Sequence, residues 1–424
     1  MILAHGVLYE DSQLPRLRQS LEAACQETIA GQSIRPEIVI DACDRLARKA
    51  AAGEYDHLLE PFLTAFQIDP GQFQAALRLF RRESLDDKVS LELGPDPAET
   101  PLLHEGFSPI QRRRYPLGVL LHIAAGNVDG LPAYSVVEGL LAGNINILKL
   151  PSMDHGASIL LLAELARLEP RLKDFIYVFD VPSTDLESLT AFARAADGIV
   201  VWGGDEAVRA ARQLAEPDTR IIPWGHKLSF AYATADASEG DLRALARHIC
   251  LTRQLLCSSC QGIFLDTEDM GAVQALGERF FALLREENRA CPPADVGLRA
   301  KAALHLCGEE LEAHRTGRRI LRGGGVSVTV CPDSELELSL LAGNCWVKPL
   351  PRGRLIRTLK PRKGRLQTAG LLCALEERAA LGGLLARAGV VRVTEAGEMS
   401  RTIPGEAHDG DYPLRLYSRI VEIA

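Results

Sequence analysis

Long apolar runs are missing. No window of about 18 uninterrupted apolar residues occurs in the 424-residue chain, so no integral membrane segment is expected. A charged N-terminal segment followed by an apolar core is also missing, and a soluble, cytoplasmic protein is expected. Basic residues are not in excess: the formal net charge is −8. That balance argues against a nucleic-acid partner, which calls for a basic patch or stripe, and leaves anionic small substrates to be met by local basic groups. Low-complexity and long polar tracts are absent, and apolar residues at 47% with charged residues at 25% are ordinary for a folded soluble chain. The ten cysteines are scattered and are expected to be reduced thiols. A second CxxC or a Cys/His cluster is missing, so the Cys257/Cys260 pair is a weak zinc signal and no metal is expected.

What is present suits two domains, or one large α/β unit with a lobe. Residues 1–100 read mainly as helices, with Phe73, Leu77 and Phe80 on one apolar stripe, and Pro95, Pro97 and Pro101 mark a linker. From Tyr115 onward short apolar runs alternate with amphipathic segments, the pattern of βα units on a parallel sheet. Strands are predicted at 117–123, 145–150, 175–180, 198–202 and 220–223, with helices at 158–168 and 205–214. Such a sheet binds ligands beyond the carboxyl ends of its strands. A second βα-rich region starts near Leu228, with strands at 230–234, 263–266 and 326–330, a helix at 239–256, and an edge-like segment at 415–423.

Between that helix and the strand that follows lies Leu255-Leu256-Cys257-Ser258-Ser259-Cys260-Gln261-Gly262. A thiol at such a junction can face a cleft as a nucleophile, form half of a CxxC pair, or fill core space as a small apolar residue. Upstream, the strand Leu117–Ile123 runs into Ala124-Ala125-Gly126-Asn127, small residues that let a ligand approach the backbone. Next come Gly143-Asn144, a strand, and Lys149-Leu150-Pro151-Ser152, with a cation at the strand's carboxyl end.

Together with Pro116-Leu117-Gly118-Val119, Gly203-Gly204, Leu366-Gln367-Thr368, His408-Asp409-Gly410 and Pro413-Leu414, these pieces resemble the aldehyde dehydrogenase superfamily. Within it they are most similar to the acyl-CoA reductase family, whose best-known members supply long-chain aldehyde in bacterial bioluminescence. The match runs from about residue 100 to the end. The resemblance implies an aldehyde-dehydrogenase-like α/β fold. Residues 1–100 would be a helical region packed on the cofactor domain, 101–227 a Rossmann-type dinucleotide domain, 228–400 an α/β catalytic domain, and 401–424 a C-terminal segment for intersubunit pairing. A homo-oligomer, dimer or tetramer, is implied.

The resemblance places the nucleophile at Cys257 and an oxyanion-donating amide at Asn127. Cofactor contacts fall at Ala124, Ala125, Gly126, Lys149, Pro151, Ser152, Gly203 and Gly204, the two glycines lying beneath the dinucleotide phosphates where free N–H groups favour an anion. The implied reaction is NAD(P)H-dependent reduction of an acyl-CoA, or another acyl thioester, to the aldehyde through a thioester on Cys257. Two departures from the oxidising relatives matter. The element Ile222-Pro223-Trp224-Gly225-His226-Lys227 carries no carboxylate to activate a hydrolytic water, so the thioester should persist to meet hydride or a thiol. Ser152 stands where NAD-specific relatives carry a glutamate, which favours NADPH, with NADH the alternative. Two rival readings stay open: an acyl-phosphate reductase of the glutamyl-phosphate type, and a non-catalytic or redox-sensing member of the fold in which Cys257 pairs with Cys260. His408 and Asp409 are read as structural, and Arg112-Arg113-Arg114 as a solvated face.

Overall fold

In the computed structural model, residues 1–57, 77–94, 110–124, 131–151, 154, 156–403 and 405–423 are described. They form two compact units, Met1–Gly225 with Ile403–Ala424, and His226–Thr402. Phe73 and the Pro95–Pro101 linker lie outside the described residues.

The first unit is built on β1 (Ile2–Ala4), β2 (Val7–Tyr9), β4 (Val119–Ile123), β5 (Ile145–Lys149), β6 (Ile176–Phe179), β7 (Gly198–Trp202) and β8 (Arg220–Trp224), with β3 (Gln111–Pro116) outside this sheet. Their order, among the described residues, is β2-β1-β6-β5-β4-β7-β8. From β6 to β8 every pairing is parallel, while β1 and β2 add an antiparallel edge. The apolar runs Ile-Asn-Ile-Leu-Lys, Ile-Tyr-Val-Phe and Gly-Ile-Val-Val-Trp are buried along their whole length, as strands covered on both faces require. The chain lays down β4, β5 and β6 in one direction, then crosses back to place β7 and β8 on the other side of β4. That reversal opens a crevice outside the carboxyl ends of β4 and β7, the position where open α/β sheets bind ligands.

The second unit contains β9 (Leu228–Ala233), β10 (Cys260–Leu265), β11 (Arg319–Gly323), β12 (Val326–Val330), β13 (Asn344–Pro349), β14 (Leu366–Leu372) and β15 (Arg392–Glu395). Their order is β11-β12-β13-β10-β9-β14-β15, parallel except for the β11–β12 hairpin. Here too the order reverses, between β9 and β14, and the chain enters β10 directly from Cys257. At Gly262 the Trp346 ring lies so close that a Cβ would sit 2.1 Å from it, so only glycine admits that packing.

After Thr402 the chain returns to the first unit, where β16 (Ser418–Ile423) pairs antiparallel with β3 as a ribbon. The returning stretch is anchored by a buried charge cluster. Lys88 Nζ lies 2.5 Å from Glu92 and 2.8 Å from Glu138, and the other Glu92 oxygen accepts the Leu414 N–H at 2.8 Å. On β3, Arg112 donates to Glu422 at 2.9 Å and Arg114 to the Leu93 carbonyl at 2.8 Å.

Three sequence expectations are corrected. Residues 1–100 are not helical at their start: β1 and β2 form a hairpin whose turn, His5-Gly6, has both φ positive, at 50° and 73°, the conformation a two-residue hairpin favours. The helix expected to reach Leu256 ends at Thr252. The segment from residue 401 divides, Arg401 and Thr402 staying with the second unit and Ile403 onward joining the first.

Candidate active site

Helix Glu239–Thr252 is stopped by Arg253 and Gln254, both left-handed, with φ of 52° and 62°. Neither is a glycine or asparagine, so each pays a conformational cost that the surroundings must offset. Tertiary hydrogen bonds hold them. Gln254, buried, donates from Nε2 to the Cys260 carbonyl at 3.0 Å and accepts the Gly343 N–H at 3.0 Å, while the Arg253 carbonyl accepts the Ala342 N–H at 3.0 Å. The reversal turns Leu255, Leu256 and Cys257 outward, and all three are exposed.

The loop is fixed from the other side as well. Ser259 N–H donates to the Leu256 carbonyl at 2.9 Å, and its hydroxyl accepts the Leu256 N–H at 3.2 Å. Gln261 donates to the Ser259 carbonyl at 3.1 Å and accepts from both the N–H and the hydroxyl of Ser339 at 3.2 and 2.8 Å. Ser229, at the start of β9, donates its hydroxyl to the Cys257 carbonyl at 2.6 Å and accepts the Thr368 N–H at 3.0 Å. Finally, Gln367 Nε2 lies 3.2 Å from Cys257 Sγ.

Ser229→Ala removes the hydroxyl that joins the Cys257 loop to β14. Urea unfolding of this variant is expected to show a loss of about 1–3 kcal/mol, the cost of stranding buried polar groups. A parental midpoint and slope would mean that the hydroxyl holds nothing.

Cys260 behaves differently from Cys257. It is fully buried, its Sγ lies 3.2 Å from the Gly262 carbonyl, and burial pushes its thiol up to about 12. Cys250 and Cys345 share its core, and burial raises both of their thiols as well. A protonated thiol facing the core is a poor partner for exchange, so the geometry speaks against a Cys257–Cys260 switch.

In the first unit, β4 runs into buried Ala124, and β7 runs into Gly203 and Gly204, which open helix Asp205–Leu214 on the other side of the crevice. Among the described residues, nothing lies within 4 Å of where a side chain on Gly204 would begin. A strand, a glycine turn and a helix N-terminus at this switch point fit a dinucleotide's pyrophosphate, although Asp205 and Glu206 in the helix's first turn set negative charge nearby. Lys149 ends β5 with its side chain buried. Burial lowers its ammonium's proton affinity and Asp180 opposes that shift. Pro151 is buried beside it. Ala125, Gly126, Asn127 and Ser152 lie outside the described residues.

Three features escaped the sequence reading. Gln367 was noted only as part of a matching motif, and Ser229 was not singled out at all. Asp154, two residues beyond Ser152, is buried and accepts the N–H and hydroxyl of Ser158 at 3.0 and 2.6 Å. Burial raises its carboxyl above the usual range. An acid just ahead of an apolar helix with a serine in its first turn is the sequence signal that could have revealed it, although the helix's own N-cap is Gly156. His408 packs against Trp202 and Trp224, with ring centroids 5.1 and 4.9 Å away. Its Nε2 lies 3.9 Å from the Asp409 carboxylate, so its surroundings are those of an anchor.

The family model described as acyl-CoA reductase (LuxC) matches residues 33–420. The chain belongs to the acyl-CoA reductase (LuxC) family. A long-chain acyl-protein thioester reductase of Aliivibrio fischeri is 25% identical over 358 residues, covering 82% of this chain and 72% of that one. Among solved structures, bifunctional proline utilization A superposes with a TM-score of 0.73 at 16% identity, over 98% of this chain. This family member spans only 46% of that bifunctional chain. The aldehyde dehydrogenase KauB of Pseudomonas aeruginosa gives a TM-score of 0.72 at 14% identity, covering 97% of this chain and 88% of that one. The LuxC-family chain therefore has the aldehyde dehydrogenase fold, with an α/β sheet in each unit.

Proposed function

We propose that the protein reduces an acyl thioester, with acyl-CoA the expected donor, to the corresponding aldehyde through a thioester on Cys257. The observation that carries this reading is the exposed Cys257 on a loop clamped from Gln254, Gln261 and Ser229, with the Gln367 amide 3.2 Å from its sulfur, in a chain of the acyl-CoA reductase family. A nucleophile needs such a held, accessible position.

The chain's own groups account for most steps. The Cys257 thiolate attacks the acyl carbonyl, the bond to the departing thiol breaks, and that thiol takes up a proton. Asn127 is the amide proposed to donate to the oxygen that becomes negative. Lys149, Gly203 and Gly204 would hold a reduced nicotinamide dinucleotide, which would supply hydride to the thioester carbonyl. The resulting thiohemiacetal on Cys257 loses its hydroxyl proton, re-forms C=O and expels the sulfur with its electron pair. No carboxylate occurs in Ile222–Lys227 to activate water, which supports a thioester that waits for hydride or thiol.

Leu255 and Leu256, 49% and 38% exposed, directly precede Cys257. An apolar approach suits an aliphatic acyl group better than the charged chain of a glutamyl phosphate, because a charged group set against apolar surface loses hydration without gaining a partner. On the cofactor, Ser152 favours NADPH, while the charge of Asp180, which acts on Lys149, opposes a 2′-phosphate and favours NADH. Consumption of NADPH and of NADH, followed by absorbance against a panel of acyl-CoAs and acyl phosphates, tests all three choices. Turnover is expected with acyl-CoAs; turnover with acyl phosphates alone would replace this reading by the glutamyl-phosphate type. As a coupled expectation, the protein works as a cytoplasmic homo-oligomer, dimer or tetramer, which light scattering measures.

A further inference from the structure

We infer that Gln367 is a catalytic residue whose side-chain amide stabilises the Cys257 sulfur as a thiolate, both when it attacks and when it leaves. The inference rests on the proposed role of Cys257 and adds a group that the family motif alone does not assign. Three observations converge on it.

The amide nitrogen is 3.2 Å from Sγ, within reach for an N–H donor to sulfur. Gln367 also sits where the β9–β14 ladder slips, the regular register being interrupted between Leu366 and Ala369. An irregularity of this kind leaves a residue out of step and re-aims its side chain, and such irregularities gather next to active sites. Third, the slip is stabilised by the loop it serves: the Thr368 N–H goes to Ser229 Oγ, which donates onward to the Cys257 carbonyl, while the Gln367 carbonyl accepts the Val391 N–H at 3.1 Å. The element that sets Cys257's main chain therefore also sets the donor to its sulfur. Gln367 is buried while Cys257 is exposed, so the donor is fixed where the sulfur stays accessible, and a hydrogen bond to a charged sulfur is stronger than one to a neutral thiol.

The chemistry uses this donor twice. In acylation the anionic sulfur forms the C–S bond and the donor thiol departs. In aldehyde release the C–S bond breaks and the electron pair returns to the same sulfur. A donor fixed on Sγ favours the thiolate at both ends, and it takes up or gives no proton itself.

The test is the pH dependence of iodoacetamide alkylation, resolved by peptide mass spectrometry, in the parent chain, Gln367→Met and Gln367→Glu. Methionine keeps the length and removes the donor; glutamate, when ionised, sets a like charge against the thiolate. The midpoint for Cys257 is expected to rise by about one pH unit with methionine, so that alkylation below it slows about tenfold, and further with glutamate. Exposed Cys307 is the internal reference and should keep its profile in all three. Coincident Cys257 profiles would overturn the assignment, and if the glutamate variant does not fold, methionine alone decides. The readout does not involve reductase activity: a shift in a chain inactive on acyl thioesters would retain Gln367's role and remove the proposed function, whereas turnover without a shift would do the reverse.

Discussion

Cys257→Ala is expected to abolish acyl transfer. Incubated with an acyl-CoA and no reductant, the parent chain should gain the mass of one acyl group on the Cys257 peptide, and the variant should gain none. Turnover should fall by about three orders of magnitude or more, since removing a nucleophile removes the covalent route as a whole. Binding of NADPH or NADH, measured by fluorescence, should stay parental, because Lys149, Gly203 and Gly204 belong to the other compact unit. The alanine change itself is mild: Cys257 is exposed on its loop and its main chain is held through Ser229, so lost activity cannot be blamed on a collapsed core. Cys260 gives the contrast. It faces the core with a thiol pushed up to about 12, and a Cys260→Ala chain should still form the Cys257 adduct. Normal turnover in Cys257→Ala would remove the mechanism through a Cys257 thioester, whereas no adduct and no turnover in the parent chain itself would leave the non-catalytic reading in possession.

The parts legible in the sequence were those whose cause is local. Gly198–Trp202, Asp205–Leu214 and Val326–Val330 have the predicted ends, because a buried strand is an unbroken apolar run or an alternation of β-branched residues and a surface helix must repeat at its own period. Cys257 was legible through its motif. The features that place it were not. Arg253 and Gln254 have ordinary helix propensity, and their left-handed backbone is held by Cys260, six residues past Gln254, and by Ala342 and Gly343, 89 residues beyond Arg253 and Gln254. The approach of Gln367 to Cys257 depends on a register slip between strands separated by over a hundred residues, which no periodicity encodes. The N-terminal hairpin was missed because its strands are three residues each, too short for alternation to show, although His5-Gly6 is a recognisable turn pair.

Mild acid should destabilise both units well before the carboxylates matter. His122 is fully buried on β4, with Nδ1 2.7 Å from Ser135 Oγ and Nε2 3.0 Å from Asn146 Oδ1. Burial lowers it to about 4. His248, in helix Glu239–Thr252, is buried with no hydrogen-bond partner on Nε2 among the described residues, and burial alone lowers it to about 4. Both must stay neutral when folded, whereas in the unfolded chain they take a proton near pH 6.5. The unfolded state therefore binds more protons between pH 6.5 and about 4, so stability is complete above that window and falls as pH drops through it. At pH 5 the loss is about 2 kcal/mol for each histidine. Asp44, Glu164 and Glu169 are held below the usual carboxylate range, so the stability they contribute is lost as the pH falls through that range. Glu92 and Asp154, raised by burial, act in the opposite sense, because the folded chain takes up their protons first. A difference between variants isolates the histidines. His122→Gln can keep hydrogen bonds to Ser135 and Asn146, and His248→Leu removes a polar atom from the core. Urea unfolding of each at pH 7 and pH 5 should show a smaller acid loss than the parent, by about 2 kcal/mol. His122→Gln should act on the transition of the first unit and His248→Leu on that of the second, if the two are resolved. An unchanged pH dependence in either variant would mean that its histidine takes up a proton in the folded chain as readily as in the unfolded one.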